Sequence, residues 1–218
     1  MDNVIITVAS RGGISRQFSK AIEALEPRAI VCIDGVSDVT LARNIQLTEC
    51  EKFWENADTV LMLDDDIVIH DSDAQDKLRR LVAHSVESRV ASSGLYVDKT
   101  GFPTCSILRT DNNKLWVTGL GVLAVPVSLL SELKKHVKNV TMRDRLLTCY
   151  TASHAEFNQH ANEYQWMSED FTLTNRLGGV HLFPELSFAH NKTMPLSPSP
   201  NTIETLASYI SGDICGVK

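Results

Sequence analysis

In the stretch "TVLMLDDDIVIH", residues 59–70, Val60, Leu61, Met62 and Leu63 run into three consecutive aspartates, Asp64, Asp65 and Asp66, before Ile67, Val68 and Ile69 resume. Adjacent carboxylates repel one another, and burying one of them unpaired is costly. Three acids with apolar residues on both sides fit a solvated turn poorly, so the stretch asks for a cation. Carboxylate oxygens suit a hard divalent ion such as Mg²⁺ or Mn²⁺. Two further places hold matching chemistry. In "WMSEDFTLTNRL", Glu169 and Asp170 stand just ahead of Phe171, Leu173 and Leu177. Acids at a helix start are favoured by the helix dipole, so capping alone would account for them as well as catalysis. In "ELSFAHNKT", His190 follows a β-like apolar segment; neutral imidazole ligates transition metals, and is also an ordinary polar side chain.

These groups need elements to position them. "VIITVAS" is a β-rich run ending at "RGG", and "ISRQFSKAIEAL" follows with Ile14, Phe18, Ala21, Ile22 and Leu25 at helical spacing. "AIVCIDG" repeats the strand signature, "DVTLARNIQLTECEKFWENA" reads as a helix from about Asp38, and "TVLMLDDDIVI" is a third strand. Strands alternating with helices imply βαβ units and a mostly parallel sheet, whose ligands bind outside the carboxyl ends of the strands. The aspartates lie at that end. After a helix over residues 73–87, "RVASSGLYV", "FPTCSIL" and "LWVTGLGVLAV" are strand-like, which adds a smaller antiparallel or mixed part. "VSLLSELKKHV" is a helix, residues 139–165 read as polar and irregular, and "PLSPSP" reads as a linker before a final helix in "NTIETLASYI".

The chain has 218 residues, 43% apolar and 22% charged, with a net charge of −6. That length suits one sizeable domain, and the acidic balance argues against a protein built to grip a polyanion. Five scattered cysteines without a C-x-x-C pair indicate neither a disulfide framework nor a zinc site. No secretory signal is visible, and the longest apolar stretch is broken by Gly119, Gly121 and Pro126. A cytoplasmic protein without stable membrane insertion is therefore expected.

Asp64 and Asp66 as D-x-D after an apolar strand, the Glu169–Asp170 pair about a hundred positions later and His190 about twenty beyond it resemble, in this order, the GT-A glycosyltransferases that use nucleotide-sugar donors. The "ARN" of Arg43 and Asn44 adds to the likeness, which reaches from "ITVASR" to "AHNKT". The resemblance implies a single GT-A-like, Rossmann-like α/β domain with helices on both sheet faces. It would occupy residues 1–194, with a nucleotide-sugar half over 1–90, an acceptor half over 91–194, and a linker and packed helix over 195–218. It implies Mn²⁺ or Mg²⁺ held by Asp66 and His190, with Asp64 meeting the ribose or supporting the metal and Asp65 able to do either. Ser10, Arg11 and Asp34 would form the nucleotide pocket, and Arg43 and Lys192 would face the donor. Asp170 would be the base, and Gly119, Gly121, Trp166 and Glu169 would meet the acceptor, the two glycines by letting backbone approach a sugar. The implied reaction moves a sugar from a nucleoside diphosphate to a hydroxyl, of a glycan by default and of a modified DNA base as the alternative.

Other chemistries fit parts of this pattern. "DDDIV" also satisfies the nucleophile motif of haloacid-dehalogenase-like phosphatases, with Asp64 attacking, although that motif usually follows the first strand. "GLGVLA" matches a loose dinucleotide fingerprint, but Pro126 falls where the fingerprint needs a helix. A sugar-nucleotide-binding protein without turnover is a third possibility.

Overall fold

The computed structural model describes residues 1–10, 12–96, 105–109, 114–142, 144–158, 163–191 and 195–196. In chain order the elements begin with β1 (Val4–Ser10), α1 (Arg16–Glu23), β2 (Ala29–Asp34), α2 (Val39–Cys50), a 3-10 helix (Glu51–Asn56), β3 (Thr59–Asp64) and α3 (Ser72–Ser88). β4 (Ser92–Leu95), β5 (Cys105–Arg109), β6 (Lys114–Thr118), β7 (Val122–Pro126), α4 (Val127–Lys134), β8 (Asn139–Met142) and β9 (Arg145–Thr148) follow. The last are β10 (His154–Asn158), β11 (Glu163–Met167), α5 (Glu169–Arg176), β12 (His181–Ser187), β13 (His190–Asn191) and β14 (Pro195–Leu196). Helices α1, α2, α3 and α5 start where oxygen side chains can take an orphan amide: Ser15, Asp38, Asp71 and Ser168 accept from Phe18, Leu41, Ala74 and Phe171.

The central sheet has six strands in the order β12-β4-β7-β3-β1-β2. β2, β1 and β3 are parallel neighbours, β12 is parallel to β4, and β7 runs against both β3 and β4. Side chains alternate between its two faces. Val4, Ile6 and Val8 of β1 with Leu61 and Leu63 of β3 pack with Phe18 and Ile22 of α1 and Leu78 and Leu81 of α3. Ile5, Val60 and Met62 face the other way, toward Leu47 of α2, Leu130 of α4 and Leu173 of α5. Burial on both faces explains why these strands read as near-continuous apolar runs.

The structure corrects four sequence readings. The third strand stops at Asp64 instead of continuing to Ile69. The stretch 115–125 is two strands, because residues 119–121 leave the β5–β6 hairpin and carry the chain into the central sheet. The stretch read as irregular over 139–165 contains two hairpins, β8–β9 and β10–β11, the second running on to Met167. β8 is exposed throughout, so it lacks the apolar alternation that marks a half-buried strand. Where the sequence suggests a linker, Pro195–Leu196 pairs with His190–Asn191, and the helix expected over 201–210 lies outside the described residues.

Candidate active site

The carboxyl ends of β1, β2, β3 and β4 and the start of the reversed β7 share one edge of the sheet. A cleft of about 430 Å³ opens there, lined by Ser10 at the end of β1, Arg43 of α2, Asp64 at the end of β3 with Asp65 and Asp66 after it, and Glu169 and Asp170 of α5. The aspartates turn away from the sheet: Ile67 N–H donates to Asp64 C=O at 3.2 Å, and Asp64 N–H donates to Gly121 C=O at 3.0 Å. Val68 N–H donates to Ala189 C=O at 2.8 Å, which lays the chain before His190 against this turn. The His190 side chain, Arg11 and Lys192 lie outside the described residues.

Arg43, expected to face the donor, lines the cleft but is only 3% exposed, and its guanidinium is committed to an ion pair with Asp64 Oδ1 and a 3.3 Å bond to Gln46 Oε1. Burial works against its charge, but the fields of Asp64 and Asp170 outweigh that and hold it above the usual arginine range. Asn44 has a different task. Its amide donates to Thr151 C=O at 3.0 Å and accepts from Thr151 N–H at 2.9 Å, and the Thr151 hydroxyl donates to Glu169 C=O. Helix α2 thus pairs one of the three aspartates with Arg43 and braces the start of α5 with the next residue, Asn44.

Ser10 is buried and donates to Asp65 Oδ2 at 2.6 Å. Burial raises the Asp65 carboxyl, Ser10 opposes that, and Asp66 and Asp64 add to it. Asp34, exposed at the end of β2 and not among the residues lining the cleft, accepts from Gly13 N–H at 3.1 Å, closing the loop after β1. Asp170 is mostly buried, and its Oδ1 has no hydrogen-bond partner among the described residues. Burial pushes it up to about 8 against the pull of Arg43, with Glu169 and Asp64 pushing the same way as burial.

Gly119 and Gly121 adjoin the site, but the space left by their missing Cβ atoms is taken by Tyr96, not left open for a sugar. A Cβ at 119 would stand 2.2 Å from Tyr96 Oη, and one at 121 would stand 2.6 Å from its Cζ. Sequence reasoning missed Tyr96; the two glycines were its signal. Trp166 lies on β11, 69% exposed, beside Tyr164 on the same strand face at 75%. One residue, Met167, separates it from the Ser168 cap of α5.

Among the described residues, no three His, Cys, Asp or Glu side chains are gathered closely enough to hold a metal alone. The cleft lining nevertheless sets five carboxylates, Asp64, Asp65, Asp66, Glu169 and Asp170, against one guanidinium, Arg43. Such hard oxygen donors fit Mg²⁺ or Mn²⁺, which are commonly held by one or two carboxylates and completed by water and ligand phosphates. No helix among the described residues is long and apolar enough to cross a membrane.

No family model and no curated protein matches the chain. Among solved structures it is similar to the crystal structure of A197 from STIV, at 18% identity and a TM-score of 0.57, over 92% of this chain and 91% of that one. The shared architecture is a GT-A-like fold: a mostly parallel central sheet with smaller antiparallel parts and helices on both faces.

Proposed function

We propose that the chain is a metal-dependent glycosyltransferase that moves a sugar from a nucleoside-diphosphate donor to an acceptor hydroxyl, with a glycan as acceptor and inversion at the anomeric carbon. What carries this reading is that Asp170 shares one cleft with the three aspartates at the carboxyl edge of a GT-A-like sheet. A donor with two phosphates brings negative charge into a lining already rich in carboxylates, so its binding requires a counter-cation. Asp66 with Asp64 and His190 would hold the divalent ion. When bound, it offsets charge on the departing diphosphate as a Lewis acid.

The protein's own residues do the remaining work. As the acceptor oxygen bonds to the anomeric carbon, the bond from that carbon to the phosphate oxygen breaks, its electron pair leaves on the diphosphate, and the hydroxyl proton passes to Asp170. A carboxyl pushed up to about 8 is a stronger base than an ordinary aspartate and takes that proton more readily once ionised. Glu169 beside it would orient the acceptor, and Trp166 would give a sugar ring an apolar face. Ser10, through Asp65, and Asp34 would border the nucleotide, with Arg11 and Lys192 on the donor side. A phosphatase with Asp64 as nucleophile is the weaker reading, because Arg43 engages Asp64 Oδ1.

Release of nucleoside diphosphate from a panel of nucleotide sugars, with Mn²⁺ and saccharide acceptors, tests the proposal. Wild-type protein should turn over at least one donor, and Asp170→Asn should bind that donor but turn it over about 10²–10⁴-fold more slowly. Equal turnover by Asp170→Asn would remove the base from the mechanism. Binding without turnover across the panel would leave a sugar-nucleotide-binding protein.

A further inference from the structure

Tyr96 follows β4 at the edge of the sheet that carries the cleft and is 4% exposed. Its hydroxyl accepts from Gly121 N–H at 2.8 Å, and the C=O of the same Gly121 accepts from Asp64 N–H at 3.0 Å. One residue therefore hangs between the phenol and the first aspartate of the metal-binding candidate. The phenol also borders the base. The point where a Cβ of residue 119 would stand is 2.2 Å from Tyr96 Oη and 3.5 Å from Asp170 Oδ2, so both oxygens flank the space that only glycine leaves. The opposite side of this junction is pinned as well. Thr174 Oγ accepts from Thr118 N–H at 3.4 Å and donates to Asp170 C=O at 3.0 Å, tying α5 to the residue before Gly119.

We propose that Tyr96 is a positioning residue: its phenol oxygen, seated between Gly119 and Gly121, fixes the Asp170 carboxyl relative to the aspartate turn. This rests on the reading of Asp170 as the base. An apolar ring would fill the same space without anchoring Gly121 N–H, so Tyr96→Phe separates positioning from packing.

Two measurements test the proposal, and they fail independently. The first is a melting cycle of wild type, Tyr96→Phe, Asp170→Asn and the double variant, which needs no substrate. The two melting shifts should miss additivity by at least about 2 °C, as groups in one network do; additive shifts would overturn the proposal. The second is turnover of the donor found in the panel. Tyr96→Phe should lower kcat about tenfold or more with the donor KM unchanged within about twofold, and should displace the rising limb of the pH profile. Wild-type kcat and pH profile would overturn it, as would a loss confined to donor KM. Should Tyr96→Phe not fold, Gly119→Ala displaces the same oxygen and is read by the same two measurements. Absence of turnover in the wild-type protein would count against the transferase reading, while the melting cycle still decides whether Tyr96 and Asp170 are linked.

Discussion

Asp170 keeps a proton where an ordinary aspartate has lost it, and this has consequences for stability as well as for chemistry. Its carboxyl is raised from 3.8 to about 8, first by burial. Between those values the unfolded chain releases a proton that the folded chain retains, so rising pH favours unfolding across that window. Asp170→Asn lacks the ionisable group, so its stability relative to wild type should increase from pH 5 to pH 8. Urea unfolding at the two pH values, without metal, checks this; a margin independent of pH would contradict it. Arg43 provides the converse case. Arg43→Ala leaves the Asp64 carboxylate facing its acidic neighbours without a counter-ion and should destabilise by about 1–3 kcal/mol, below the range for a fully buried pair because Asp64 is 30% exposed to the cleft. The aspartates and the Glu169–Asp170 pair were legible because acids beside apolar strands and at helix starts are conspicuous. Tyr96 was not, since one tyrosine after "SSGL" reads as core, and the glycines that admit it read equally well as room for a sugar.

The elements act on the site through a few braces. Asn44→Ala removes both side-chain bonds to the Thr151 backbone and leaves a buried N–H and C=O without partners. This should cost about 2–4 kcal/mol in denaturant unfolding, and because Thr151 holds Glu169, turnover should fall by more than donor binding does. The β10–β11 hairpin makes a different prediction. Trp166 is mostly exposed, so Trp166→Ala should change stability by less than about 0.5 kcal/mol while raising the acceptor KM. An unchanged acceptor KM would remove the hairpin from acceptor recognition. The βαβ half was readable from periodicity because its strands are buried on both faces and its helices carry oxygen caps. The hairpins after residue 139 were not, since exposed antiparallel strands have no apolar face to display. The break at residues 119–121 was hidden for a related reason: apolar residues continue on both sides of it, and only pairing partners far along the chain separate β6 from β7.

Across the whole molecule, a net charge of −6 and a cleft whose charged lining is five carboxylates and one guanidinium work together. They disfavour a polyanionic acceptor such as DNA, which basic surfaces attract, and on the proposed function an anionic nucleotide would need a cation to bind there. On the proposed function, this cleft binds a nucleoside diphosphate only together with a divalent metal. Thermal melting of the wild-type protein against uridine, guanosine and thymidine diphosphates and their sugars, each with Mn²⁺ or with EDTA, tests it most directly. A ligand near 100 times its Kd adds about 2.7 kcal/mol of apparent stability, enough to move the melting temperature by several degrees. At least one nucleotide should produce that shift with Mn²⁺ and none with EDTA; no shift with any of them, or the same shift in EDTA, would contradict the account.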